Sequence, residues 1–123
     1  MKQFILVGIG GGIGAMARYK IGSIFLHHVA HWKFPLGTFV INVLGCLIAG
    51  ILASLFDRHV FFNADMRLFL FTGLLGGFTT FSAFGLETVY LIEQHEPFIA
   101  MMNIMMSVLV GCFALWLGMK IVP

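Results

Sequence analysis

Three observations predict an all-α membrane protein of four transmembrane helices per subunit, the third of them broken near its middle. The first is composition: 60% of the 123 residues are hydrophobic and only 10% are charged, with a mean hydropathy of +1.03. Seven Lys/Arg and five Asp/Glu cannot cover the surface of a soluble domain of this size. The second is segmentation into apolar runs at 4–26, 35–56, 67–92 and 98–122. Each run of roughly 22–26 residues spans, as a helix, more than the hydrocarbon core of about 30 Å. The third is that most of the remaining polarity gathers in the connections 27–34, 57–66 and 93–97. The expectation is one transmembrane domain over 1–123, multi-pass in a lipid bilayer, with both termini on one side.

Other classes fall away on the same grounds. A formal charge of +2, scattered along the chain, gives no footprint for nucleic acid. Cys46 and Cys112 lie inside apolar runs and read as small packing residues. The start imitates a secretory leader, with Lys2 and the small-residue pattern Ala15-Met16-Ala17, but apolar character continues past that point, so no cleavage is expected. Gly12-x-Gly14-x-x-Ala17 is a loose dinucleotide fingerprint without its acidic partner about twenty positions on, since the first acidic residue is Asp57.

In chain order, the first run carries Gly8, Gly10, Gly11, Gly12 and Gly14, a spacing that lets helix backbones approach closely. Arg18 and Lys20 flank Tyr19 near its far end, either as interfacial anchors or as an electropositive mouth for anions. His27, His28 and His31 come next, in a solvated loop. The second run opens at Pro35 and draws a polar and small stripe through Thr38, Asn42, Gly45 and Ala49. Asn42, a carboxamide at membrane depth, is either a helix–helix hydrogen bond or a pore lining. In the third run, the glycines and paired threonines of 73–84 weaken a helix in the middle of an apolar stretch. Non-helical backbone in a bilayer survives only where protein or a water-filled cavity satisfies it, so the break marks a site. Beyond it Phe81, Phe84 and Thr88 share a helix face beside the hydroxyls of Thr79, Thr80 and Ser82, and Glu87 reads as lying on the same side. The fourth run repeats the stripe with Asn103, Ser107, Gly111 and Ala114.

These residues resemble the Fluc/CrcB family of small dual-topology fluoride channels. The matching stretches are Gly14-Ala15-Met16-Ala17-Arg18-Tyr19, Pro35-Leu36-Gly37-Thr38-Phe39-Val40-Ile41-Asn42-Val43-Leu44-Gly45 and Gly76-Gly77-Phe78-Thr79-Thr80-Phe81-Ser82-Ala83-Phe84. The resemblance implies a passive fluoride channel in the bacterial inner membrane, built as an antiparallel homodimer with two pathways at its interface and a structural sodium ion at its centre. By motif, Phe81 and Phe84 look like the aromatic pair of the pathway and Asn42 like its amide donor. Thr80, Ser82 and Ser107 are its candidate hydroxyls, and Arg18 belongs to the vestibule. Gly76 and Thr79 look like the residues whose backbone carbonyls hold sodium. Ala83 stands where the family commonly has a hydroxyl residue.

The chemistry of these side chains agrees with the resemblance. Fluoride is small and strongly hydrated, so a selective path replaces its water with closely spaced donors and avoids a fixed charge that would trap it. Asn, Ser and Thr supply such donors, and a phenyl ring presents an electropositive edge. A small dual-topology drug/proton exporter is the chief alternative, but it needs a titratable carboxylate deep in the core, whereas Glu87 lies well past the midpoint of its run. A purely structural subunit gives no reason for Thr79-Thr80-Phe81-Ser82 beside a break. Lys2, Arg58, Arg67 and Lys120 fall on the side of the termini and Lys33 opposite, a modest bias compatible with insertion in both orientations.

Overall fold

Helix α1 (Lys2–Val29) runs through the glycine-rich first span and is followed by α2 (Leu36–Arg58). The third span comprises α3 (Ala64–Arg67), a π-helical stretch (Leu68–Leu75), α4 (Gly76–Phe78) and α5 (Phe81–Glu93), and α6 (Pro97–Ile121) closes the chain. The computed structural model describes residues 1–58 and 63–122, so the expected connection 57–66 falls partly outside the described residues. Among the described residues, four helical spans are long and apolar enough to cross a membrane. The chain is a multi-pass membrane protein.

The ends obey local chemistry. Asn63 caps α3 by accepting the Met66 N–H at 2.9 Å, with Asp65 in the first turn. Pro97 opens α6, where a missing N–H costs nothing. Two boundaries differ from the sequence reading. His27 and His28 sit in the last turn of α1, not in a loop. Pro35 precedes α2, and its carbonyl accepts the Phe39 N–H at 3.1 Å.

The break in the third span is present. Helical geometry continues through Gly76, Gly77 and Phe78, and the extended residues are Thr79 (φ −83°, ψ 158°) and Thr80 (φ −149°, ψ 114°). The break expected within 73–84 therefore falls on Thr79 and Thr80, and the glycines Gly76 and Gly77 stay helical. β-Branched residues favour extended backbone, and Thr80 also caps α5 by accepting the Ala83 N–H at 3.2 Å. Thr79 closes the preceding turn twice, with its N–H and its hydroxyl both donating to the Leu75 carbonyl at 2.9 Å. Just before it, the Gly76 N–H reaches back to the Phe71 carbonyl, the wide bonding of a π-helix.

Packing explains why Gly77 stays helical. A Cβ on Gly77 would collide with the Gly11 backbone, its Cα at 2.9 Å, and a Cβ on Gly14 would press into the Leu74 carbonyl with the Phe78 nitrogen at 2.8 Å. Glycine here lets α1 lie backbone to backbone against the π-helical stretch and α4, its main partners. α2 packs chiefly on α6, where Gly50 and Gly118 do the same work. Outer faces stay apolar and exposed, from Phe4 and Ile9 on α1 to Leu109 and Phe113 on α6. Gly14→Val should cost about 1–3 kcal/mol through overpacking. Gly8→Ala, with nothing within 4 Å of the new Cβ, should be close to neutral. Melting of the detergent-solubilised protein, followed by size-exclusion chromatography, separates the two; equal melting temperatures would contradict the close packing of α1.

Candidate functional site

Asn42 on α2 reaches the break and grips a single residue from both sides. Its Nδ2 donates to the Thr80 carbonyl at 3.0 Å and its Oδ1 accepts the Thr80 N–H at 2.8 Å. The carboxamide thus takes the place that the next turn of helix would have held. Two carbonyls are released as a result. The Thr80 N–H, which would have closed on the Gly76 carbonyl, is turned to Asn42, and the Ala83 N–H, which would have closed on the Thr79 carbonyl, is taken by Thr80 Oγ1.

Two clefts meet at this point. One is a groove of about 280 Å³ lined by Asn42, Thr79, Thr80, Phe81, Phe84 and Ser107, with Cys46 and Val108 completing it. Phe81 is 83% exposed, and its ring lies 5.5 Å from that of Phe84, tilted by 41°. Ser82 stands beside the groove, its hydroxyl 3.3 Å from that of Thr80. From Ser107 a chain of hydrogen bonds leads inward. Its hydroxyl donates to Asn103 Oδ1 at 3.4 Å, Asn103 Nδ2 donates to Thr88 Oγ1 at 2.9 Å, and Thr88 donates to the Phe84 carbonyl at 2.7 Å. Asn103 is the largest fully buried side chain among the described residues. That chain fixes the register of α5 on α6 and holds the Phe84 turn in place.

The second cleft, about 400 Å³, opens toward the α1–α2 connection and is lined by Arg18, Thr38, Ile41, Thr80, Ala83 and Glu87 among others. Thr38 donates to Glu87 Oε1 at 2.6 Å, while the other oxygen of Glu87 is buried without a hydrogen bond. This corrects the sequence reading of Glu87, which does not share the groove of Phe81 and Phe84. Thr80 borders both clefts, so the break is the wall between a compartment holding Arg18 and Glu87 and one lined by amide, hydroxyl, thiol, ring and apolar groups.

Of the residues singled out from sequence, Asn42, Thr79, Thr80, Phe81, Phe84 and Ser107 converge on one groove, with Ser82 next to it. Arg18 lies in the adjoining cleft, half-buried, with Tyr19 and Lys20 exposed. Gly76 is exposed just before the break. Cys46, a packing residue by sequence, lines the groove four residues after Asn42, a helical spacing that points to it. The Thr38–Glu87 and Asn103–Thr88 pairings join residues whose side chains could be noted but not matched.

Chemically, the groove offers hydroxyl and amide donors, ring edges and the N-terminal end of α5, all suited to a small anion. Asn42→Leu keeps the bulk but strands the Thr80 N–H and carbonyl, at about 1–3 kcal/mol for each group left unpaired. Hydrogen exchange at the Thr80 amide should accelerate strongly in that variant while amides of α6 stay protected; an unchanged Thr80 amide would show that Asn42 does not hold the break.

Known proteins resemble this chain over nearly its whole length. Residues 5–119 match the family described as "CrcB-like protein, Camphor Resistance (CrcB)". A protein of Methylobacillus flagellatus named "Fluoride-specific ion channel FluC" is 48% identical over 99% of this chain and 95% of its own length. Proteins of the same name from Rhizobium etli, 40% identical over 98% and 96%, and from Flavobacterium psychrophilum, 36% identical over 98% and 97%, are also similar. With a match covering nearly all of its spans and relatives aligned end to end, the chain belongs to the CrcB-like family of membrane proteins.

Proposed function

We propose that the chain is a fluoride-selective channel subunit that lets the anion leave the cell passively across the plasma membrane. The observation that carries this reading is the meeting of two clefts at Thr80, one charged and one lined by amide, hydroxyl and ring edge, together with relatives whose name is that of a fluoride-specific channel. A hydrated anion drawn to the Arg18 cleft loses water in steps. Arg18 raises its local concentration, and hydroxyl and amide donors around the break then replace hydration oxygens. Asn42 uses one Nδ2 hydrogen on Thr80 and keeps the other for an anion. Phe81 and Phe84 present electropositive edges along the groove, attractive enough to admit fluoride and too weak to hold it. The N-terminus of α5 adds partial positive charge at the same place.

The groove also supports an antiparallel homodimer. Phe81 is open on one side, and carbonyls freed midway along a membrane span cannot be left to lipid. A second copy inserted in the opposite orientation would cover the groove and bring two breaks face to face. The carbonyls of Gly76 and Thr79, released from their helical donors, suit a monovalent cation, since Mg²⁺ and Ca²⁺ favour carboxylates or retained water. In this reading sodium, held by these four carbonyls, is a structural centre that offsets their dipoles and the repulsion between anions in two nearby pathways. The exporter alternative fits less well, because Glu87 borders the charged cleft and not the groove.

Liposomes loaded with fluoride should empty far faster than liposomes loaded with chloride, and equal efflux, or none, would overturn the assignment. Phe84→Ile keeps apolar bulk but removes the ring edge, so fluoride efflux should fall by at least an order of magnitude while the protein still assembles. Efflux near wild type would mean that the ring only fills space. An experimental structure of the dimer should contain one metal-sized density on its two-fold axis within contact of the Gly76 and Thr79 carbonyls; a solid peptide–peptide contact there instead would remove the sodium.

A further inference from the structure

A third cavity lies away from the break. It is a groove of about 470 Å³ at the foot of α2 and α6, apolar along Phe39, Ile99, Met102 and Met106, with Trp32 and Lys33 at its mouth. The connections 30–35 and 94–96 join α1 to α2 and α5 to α6, so both lie on the membrane side opposite the termini. At that level Lys33 Nζ pairs with Glu96 Oε1, with the two side chains 65% and 29% exposed. From there the groove descends along α6 from Ile99 to Met106, roughly 10 Å at about 1.5 Å per residue. Its wall includes two half-exposed methionines, flexible side chains that adapt to a hydrocarbon chain. Trp32, 53% exposed, sits where an indole prefers to sit, at the headgroup boundary.

We propose that this groove seats one phospholipid whose headgroup carries both a phosphodiester and a free primary ammonium. Charge complementarity chooses the headgroup. Lys33 spends one of its three donors on Glu96 and has two left for phosphate oxygens, and Glu96 keeps Oε2 for an ammonium. A headgroup with both charges completes a square of alternating sign without opening the existing pair. A purely anionic headgroup would meet Glu96 with nothing to offset it, since Lys33 is the one Lys or Arg in the two connections. A quaternary ammonium has no hydrogen to donate to the carboxylate. The acyl chain then lies along Phe39, Ile99, Met102 and Met106, covering apolar surface that continues into the membrane.

Tryptophan quenching tests this on the full chain in liposomes. The protein has two tryptophans, and Trp116→Phe leaves Trp32 as sole reporter while preserving a ring to stack on Phe113. Brominated-chain phosphatidylethanolamine, phosphatidylcholine or phosphatidylglycerol is added at equal fraction to unlabelled phosphatidylcholine. Phosphatidylethanolamine should quench Trp32 several-fold more, per mole, than either other lipid. Glu96→Gln should erase its advantage and raise quenching by phosphatidylglycerol, and Lys33→Gln should reduce all three to one weak level. Equal quenching by the three lipids in the parent protein, a preference for phosphatidylglycerol there, or a phosphatidylethanolamine preference that survives both substitutions would overturn the proposal. Absence of quenching by any lipid would also overturn it and would point to a second copy over the groove.

Discussion

The structure turns on one carboxamide holding one peptide unit. In a hydrocarbon medium a helix cannot stop without finding partners for its last carbonyls and for the first N–H groups of the next helix. Asn42 answers this on both sides of Thr80, and Thr80 Oγ1 answers it again for Ala83. Because Asn42 belongs to α2, the break cannot slide along the third span without losing both bonds. α2 is in turn locked against α6 by the contact of Gly50 and Gly118 with opposing backbone, and α1 is locked against the π-helical stretch and α4 through Gly10, Gly14 and Gly77. A local irregularity worth a few hydrogen bonds is thereby fixed in place by the packing of every other helix.

That packing also decides where polar atoms are left over. The hydrogen bonds that stabilise Thr80 are the ones that withdraw donors from the Gly76 and Thr79 carbonyls, so stability of the break and availability of those oxygens come from the same two interactions. On the proposed dimeric reading, this is why one subunit is incomplete: Thr80 is satisfied by α2, and the Gly76 and Thr79 carbonyls are left for a second copy to complete. Ser107, Asn103 and Thr88 contribute differently, since their bonds close within the subunit and leave Phe84 with one defined backbone position.

The four spans were legible in sequence because hydropathy over twenty residues reports a bulk transfer free energy, insensitive to detail. The existence of a break was legible too, from Gly76, Gly77, Thr79 and Thr80, but not that it falls on the threonines while the glycines stay helical. Glycine marks both backbone freedom and close approach, and here Gly77 serves the second purpose against Gly11 while the threonines supply the extended residues. The π-helical stretch left no trace, because nothing in Leu68–Leu75 distinguishes i+5 from i+4 bonding before α1 packs on it. Helical periodicity grouped Phe81 and Phe84 correctly, yet put Glu87 with them. Glu87 lies about 90° around the helix from the bisector of Phe81 and Phe84, at roughly 100° per residue. Only the location of Thr38 on the neighbouring helix decides that it belongs to the other cleft.

The division of charge between the two clefts arises from the same placement and bears on how an anion could move. Arg18 carries a full charge and lines, together with Glu87, the cleft that widens toward the α1–α2 connection, where water and salt weaken its field. Past Thr80 the groove has no ionisable side chain except the thiol of Cys46, and donors there are amide, hydroxyl and ring edge. If a second copy covers the groove as proposed, a fixed guanidinium there would bind an anion by many times the thermal energy, because attraction grows as the effective dielectric falls. Dipoles lose strength with distance faster than charges do, so each holds an ion only while it is adjacent and releases it to the next. A strong charge at the wet end and a succession of weak dipoles at the dry end is therefore the order that gathers an anion without arresting it. The clamp of Asn42 on Thr80 stands at the boundary between the two.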